Sequence, residues 1–173
     1  MIEGPIVLVG LMATGKSTVG RALASRLHRR FLDSDAVIEQ RTGHTVAQIF
    51  RADGEPAFRA LETQALTEAL EAQPPAVVAA AGGTVLSEHN RALLQRVSAT
   101  GGRVIWLRAR PEVLATRVRP GDHRPLLAED PAGTLLRMFQ NRSPLYAEVA
   151  DRIVDVDECD IPHVIAAVEE ALN

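Results

Sequence analysis

Ile6-Val7-Leu8-Val9-Gly10-Leu11-Met12-Ala13-Thr14-Gly15-Lys16-Ser17-Thr18 is an apolar run that opens into a glycine-spaced loop and closes on a lysine and two hydroxyls. Gly10, four intervening residues and then Gly15-Lys16-Ser17 reproduce the Walker A spacing of a phosphate-binding loop. In such a loop backbone N–H groups curl around phosphate oxygens, and the helix that follows points its positive end at them. Ala13, Thr14, Gly15, Lys16, Ser17 and Thr18 are therefore assigned to the nucleotide phosphates. The flanks agree: Ile6 to Val9 suits a buried parallel strand, and Val19 to Leu27 carries apolar residues at helical spacing. The bland alternative is a tight strand-to-helix turn with incidental glycines. It leaves unexplained why the chain's only lysine, among 19 basic residues, stands at this position.

Working outward, 173 residues suffice for one domain, spanning 1–173, with a core that needs no staples. Aromatic residues make up 3% of the chain and the net charge is −3, so stacking on bases and general attraction to nucleic acid or anionic membranes are not expected. Any anion site must be local. Cys159 is the only cysteine, which excludes an internal disulfide and fits a reducing, cytoplasmic compartment. Glu3 stands where a secretory leader would carry a basic residue, and no apolar run reaches the roughly 18 residues of a membrane span.

Phe31 to Asp35 reads as a second strand, with Asp33 and Asp35 on one side of an extended backbone. A short helix over Ala36–Arg41 stops at Gly43, Thr45 caps a further turn through Phe50, and Asp53-Gly54 is a turn. From Glu55 to about Glu71 a helix presents Phe58, Leu61, Ala65, Leu66 and Ala69 to the core, with Arg59 and Glu62 together off that stripe. Strand Ala76–Ala81 opens into Gly82-Gly83, a helix capped by Ser87 reaches Val97, and strand Arg103–Leu107 precedes a helix over Pro111–Val118. Arg119 to Pro131 reads as a long loop of the kind that carries function. A helix over Ala132–Asn141, a strand over Ile153–Val156 and a helix over Ile161–Leu172 complete the chain. This alternation predicts a three-layer α/β/α domain with a five-stranded parallel sheet, its ligands at the carboxyl ends of the strands.

Phosphoryl transfer needs a phosphate cradle, a magnesium ion, neutralising charge and a held acceptor. Lys16 is the candidate for the β- and γ-phosphates and Ser17 for Mg²⁺. Asp33, on a strand expected beside the first, is the second candidate for the ion, and Asp35 faces the acceptor hydroxyl. The alternative for the two carboxylates is a cap and a solvated turn. Arg59, Arg124 and Arg142 are a second constellation suited to carboxylates and phosphates. Each has a plainer reading: a surface ion pair of about 0.2–0.5 kcal/mol for Arg59 with Glu62, a charged loop for Arg124 beside Arg117 and Arg119, and a helix C-terminus for Arg142. His28, His44, His89, His123 and His163 show no metal-ligand spacing and read as surface residues.

In this order, Gly10 to Thr18, Asp33-Ser34-Asp35, Arg41-Thr42-Gly43, Ile49-Phe50, Phe58-Arg59 with Glu62, Gly82-Gly83, Arg124-Pro125-Leu126-Leu127 and Arg142-Ser143-Pro144-Leu145-Tyr146 resemble the shikimate kinases. These are P-loop NTPases of nucleoside-monophosphate-kinase type. The resemblance implies transfer of the ATP γ-phosphate to the 3-hydroxyl of shikimate, in the route to aromatic amino acids. It implies Asp33 on Mg²⁺, Asp35 as base on the acceptor hydroxyls, and Arg59 with Arg142 on the acceptor carboxylate. Gly82 and Gly83 would admit the ring, Phe50 and Phe58 would pack near it, Arg124 would close with a lid at 119–131, and Arg117 would lie over the adenine. Residues 34–61 would form the acceptor-binding segment of a monomer whose partners are small molecules.

Three features depart from the family pattern: Ala13 and Ala81 each replace a glycine, and Asp157, Glu158 and Asp160 make the adenine-side loop acidic. An alanine that must adopt φ > 0 costs about 1 kcal/mol or more. Two rivals stay open: a gluconate-type sugar-acid kinase and a nucleotide-binding homologue without catalysis.

Overall fold

The structure, a computed structural model, describes residues 2–118, 130–158 and 160–173. Arg124, His123, Cys159 and all of the expected lid except Asp130 and Pro131 lie outside the described residues.

Five parallel strands, β1 (Ile6–Val9), β2 (Phe31–Asp33), β3 (Val77–Ala79), β4 (Arg103–Arg108) and β5 (Arg152–Asp155), form one sheet in the order β2-β3-β1-β4-β5. Helices α1 (Lys16–Arg26), α2 (Ser34–Thr42), α3 (Val46–Leu70), α4 (Glu88–Gln95), α5 (Pro111–Arg117), α6 (Pro131–Val149) and α7 (Ile161–Ala171) alternate with the strands and cover the sheet, α1 packing on α7 and α6 on both α4 and α5. Every residue of β1 is buried, as a central strand between two covered faces requires.

The sheet corrects one expectation. β2 does not neighbour β1; β3 lies between them, pairing Val77 with Ile6 on one side and with Phe31 on the other. Composition explains the order. Val77, Val78 and Ala79 are buried and suit an interior strand, whereas Phe31, Leu32 and Asp33 are only partly buried and suit an edge.

A second correction concerns the two carboxylates. The strand ends at Asp33, whose side chain caps α2 by accepting from the N–H groups of Asp35 at 3.1 Å and Ala36 at 3.4 Å. Asp35 therefore lies in the first turn of a helix and not two places along an extended chain. Capping prevails because a side-chain oxygen at this point satisfies otherwise orphaned helix N–H groups.

Thr45 caps α3 with a full capping box through Gln48, as the sequence suggests, and α3 bends at Gly54, where φ is 81° and ψ 174°. Ile38, Ile49, Phe58 and Ala65 form a small core between α2 and α3, separate from the main core over the sheet. α6 runs unbroken past Pro144 instead of ending near Asn141. Pro144 and Gln140, whose carbonyl loses its helical partner there, are both exposed to water. Among the described residues no helix is long and apolar enough to cross a membrane.

The edge of the sheet that carries the site is joined to α2 by Ser34, which is 2% exposed. Its hydroxyl accepts from the Ala81 N–H at 2.8 Å and donates to the Ala79 carbonyl at 3.3 Å. Replacing it strands a buried N–H. Ser34→Ala is expected to lower the urea-unfolding free energy by about 1–3 kcal/mol; a loss under about 0.5 kcal/mol would show that the bridge carries no net stability.

Candidate active site

The carboxyl ends of β1, β2 and β3 open onto a cleft of about 300 Å³. Lys16, Ser17, Asp33, Asp35, Arg59, Glu62, Gly82, Gly83 and Arg142 line it, together with Ala13, Gly15, Thr18 and Phe58. One cavity thus gathers residues from Ala13 to Arg142, separated by most of the chain.

The phosphate loop holds its shape from within. Gly10 has φ 143°, and a Cβ there would meet the Leu107 carbonyl oxygen at 2.4 Å, so only glycine fits. The Thr14 hydroxyl donates to the Leu11 carbonyl at 2.8 Å, so its side chain serves the loop's conformation. Lys16 Nζ folds back to donate to the carbonyls of Gly10 at 2.9 Å and Leu11 at 2.8 Å. Gly15 caps α1, whose first turn contains no acidic residue, leaving its positive end directed at an incoming anion. Ala13 has φ 63° and does adopt the left-handed conformation, whereas Ala81 is not among the positive-φ residues. The departure from glycine therefore strains the phosphate loop and leaves the acceptor wall unstrained.

Ser17 Oγ donates to Asp33 Oδ2 at 2.5 Å. Asp33 is thus a cap for α2 through one oxygen and a partner of the phosphate loop through the other. It reaches Ser17 although its strand lies two places from β1. Two oxygen donors side by side suit Mg²⁺, which keeps several waters and phosphate oxygens in its shell. Among the described residues no cluster of three or more His, Cys, Asp or Glu side chains could hold a metal by itself.

The acceptor side is more buried than the sequence suggests. Glu62, whose plainer reading with Arg59 is a surface ion pair, is 1% exposed and accepts from Arg59 Nη1 at 2.5 Å. Arg59 Nη2 also donates to Glu55 at 2.8 Å. Burial pushes the Glu62 carboxyl above its ordinary range, while the hydrogen bond and charge of Arg59 pull the other way. Burial opposes the Arg59 guanidinium, but hydrogen bonds and charges from Glu62 and Glu55 outweigh it and raise its pKa. The Arg59 guanidinium lies 5.7 Å from the Phe58 ring and 5.9 Å from Phe50, whose rings are 4.7 Å apart. Phe58 lines the cleft and Phe50 does not.

Arg142 is 8% exposed and mid-helix, so the helix-terminus reading falls. Its Nη1 donates to the Gly82 carbonyl at 3.1 Å. The two wall glycines differ. A Cβ on Gly83 would lie 1.9 Å from Arg59 Nη1, but one on Gly82 would meet nothing nearer than 3.4 Å.

Arg117 is not among the cleft-lining residues. It donates to the carbonyls of Val156 at 2.6 Å and Asp157 at 3.0 Å, joining α5 to the loop after β5. That loop is less acidic in effect than its composition implies. Asp157 pairs with Arg110 at 2.9 Å, and Asp160 caps α7 by accepting from the His163 N–H at 3.0 Å. Glu62's burial and Ser34's bridge escape sequence reasoning. The only signal for Glu62 is its place three residues after Arg59, which a surface pair would share.

Because burial raises the Glu62 pKa, the folded state binds more protons than the unfolded chain between the ordinary carboxylate range and that raised value. Stability then falls as pH rises through this window. Glu62→Gln removes the titrating group and is expected to flatten the curve of urea-unfolding free energy against pH there. Parallel curves for the two proteins would assign the dependence elsewhere.

With this geometry in place, comparison with known proteins is informative. The family model described as shikimate kinase matches residues 12–173. The shikimate kinase of Symbiobacterium thermophilum is 45% identical over 97% of this chain and 95% of its own. The solved shikimate kinase from Acinetobacter baumannii in complex with shikimate superposes with a TM-score of 0.90 at 36% identity, covering 96% of this chain and 91% of that one. A gluconokinase from Sinorhizobium meliloti, covering 99% of this chain and 92% of its own, reaches a TM-score of 0.59 at 21% identity, a likeness of fold alone. A match running from the phosphate loop to the last helix, over a cleft that this loop lines together with two arginines, makes this chain a member of the shikimate kinase family.

Proposed function

We propose that this protein transfers the γ-phosphate of ATP to the 3-hydroxyl of shikimate. The observation that carries the reading is the lining of one cleft: Lys16 and the Ser17–Asp33 pair share it with Arg59, Arg142 and Asp35. An acid acceptor accounts for two guanidinium groups in a cleft whose phosphate loop already has its own lysine and helix N-terminus.

The phosphate loop and the positive end of α1 would receive the nucleotide phosphates, with Lys16 exchanging its two loop carbonyls for phosphate oxygens. Ser17 and Asp33 would hold Mg²⁺, which supplies neutralising charge to the phosphates when bound. Arg59 and Arg142 would fix the acceptor by its carboxylate, so the hydroxyl is presented in line. Asp35 would accept the hydroxyl proton. A weak base serves here because the transition state is loose and orientation counts for more than prior deprotonation. Within the single domain, α2 and the first part of α3 would form the acceptor-binding segment. Arg117, held beside the β5 loop, would border the adenine, and Arg124 would add its charge to the phosphates.

The direct test is ADP release from MgATP with shikimate, gluconate or no acceptor. Shikimate-dependent turnover is expected, and turnover with gluconate alone would overturn the acceptor. Asp35→Ala is expected to lower kcat by about 10²–10⁴-fold with MgATP binding retained; equal loss of nucleotide affinity would remove Asp35 from the acceptor side. Gly83→Ala puts a methyl where Arg59 Nη1 lies. The obstructing atom ends a flexible side chain, so the protein folds but Arg59 moves. The acceptor KM is expected to rise by about 10-fold or more with the ATP KM within about 2-fold, and an unchanged acceptor KM would show that Arg59 does not hold it.

A further inference from the structure

The Gly82 carbonyl oxygen receives two donors from one turn of α6. Tyr146 Oη donates to it at 2.6 Å and Arg142 Nη1 at 3.1 Å. The two residues stand four apart, so they share one face of the helix. Tyr146 is 1% exposed, lies outside the cleft lining, and packs its ring on Trp106 with centroids 5.5 Å apart. Burial holds its hydroxyl far above the ordinary tyrosine range, so it remains a neutral donor at any working pH.

That carbonyl belongs to the peptide joining Gly82 to Gly83, and this peptide underlies both arginines. Arg142 is anchored to its oxygen, and Arg59 Nη1 rests against Gly83, where a Cβ would come within 1.9 Å. A Cβ on Gly82 would lie 3.4 Å from the Gly10 carbonyl oxygen and 3.6 Å from the Met12 nitrogen, so the same segment also abuts the phosphate loop. Two consecutive glycines have no side chain to restrain their rotation, so hydrogen bonds must set the tilt of the peptide. A carbonyl oxygen has two lone pairs, and here each has a donor. Arg142 must turn part of its donor capacity to an incoming carboxylate, whereas Tyr146, outside the cleft and hydrogen-bonded to Arg142 as well, keeps its donation to Gly82.

We propose that Tyr146 is a positioning residue for the acceptor: by holding the Gly82 carbonyl it fixes the spacing of Arg59 and Arg142 that a carboxylate must bridge. This rests on the acceptor reading above. The function of the hydroxyl is separable from that of the ring, because phenylalanine keeps the packing on Trp106 and loses only the hydroxyl's contacts to Gly82 and Arg142.

The test begins with the unsubstituted protein. Failure to turn over shikimate would overturn the acceptor reading and this assignment with it. Given turnover, Tyr146→Phe is expected to raise the shikimate KM by about 5- to 20-fold, the scale of one lost hydrogen bond. The MgATP KM should stay within about 2-fold. An unchanged shikimate KM, or equal increases for both substrates, would overturn the role of Tyr146 alone. Should the variant fail to fold, the chain's single tyrosine permits a second route: 3-fluorotyrosine incorporation labels only position 146. The fluorine resonance is expected to shift with shikimate and not with MgATP, and a resonance unmoved by saturating shikimate would sink the proposal.

Discussion

The parallel pairing of β3 with β1 is the constraint from which the site follows. The Ala80 N–H donates to the Leu8 carbonyl at 3.0 Å, so the two strands leave the sheet side by side. One continues into the phosphate loop and the other into the Gly82-Gly83 wall. A shift of one residue in this register would turn buried side chains to the opposite face and separate the wall from the loop. Every later element, from the α2 cap to the arginine on α6, is referred to these two strand ends.

Three polar groups buried around this junction are each partnered. Ser34 serves two backbone groups, Glu62 takes Arg59, and Tyr146 takes Gly82. An ion pair such as Arg59 with Glu62 is costly to bury and contributes little net stability over an apolar replacement. Its presence is better accounted for by the need to hold a guanidinium at a set position in the cleft. Glu62 takes one edge of Arg59 from inside, and the exposed Glu55 takes another from outside.

The strands, most helices and the phosphate loop were legible because their signals are periodic or local. Val77-Val78-Ala79 and Ile6 to Val9 read as buried strands, Gly43 as a stop, Thr45 and Ser87 as caps, and the structure agrees at each. What escaped the sequence depends on three-dimensional neighbours. Asp33 and Asp35 looked like residues of one strand because alternation was applied past the point where a cap takes over. The place of β3 between β1 and β2 is a matter of relative burial, which strand composition reveals only by comparison. Pro144 suggested a helix end because the exposure that makes its missing hydrogen bond tolerable is a tertiary property. Glu62 has the same sequence spacing from Arg59 whether the pair faces water or the core.

Ala13 carries a consequence for the thermodynamics of nucleotide capture. A methyl group at φ 63° costs roughly 1–2 kcal/mol in the native loop relative to a relaxed backbone. The same methyl removes conformations that a glycine would sample when the loop is empty. Nucleotide binding to an alanine-bearing loop therefore sacrifices less chain freedom than binding to a glycine-bearing one. In a calorimeter that difference belongs to the entropy of association, and at φ > 0 it is smaller than the strain it offsets.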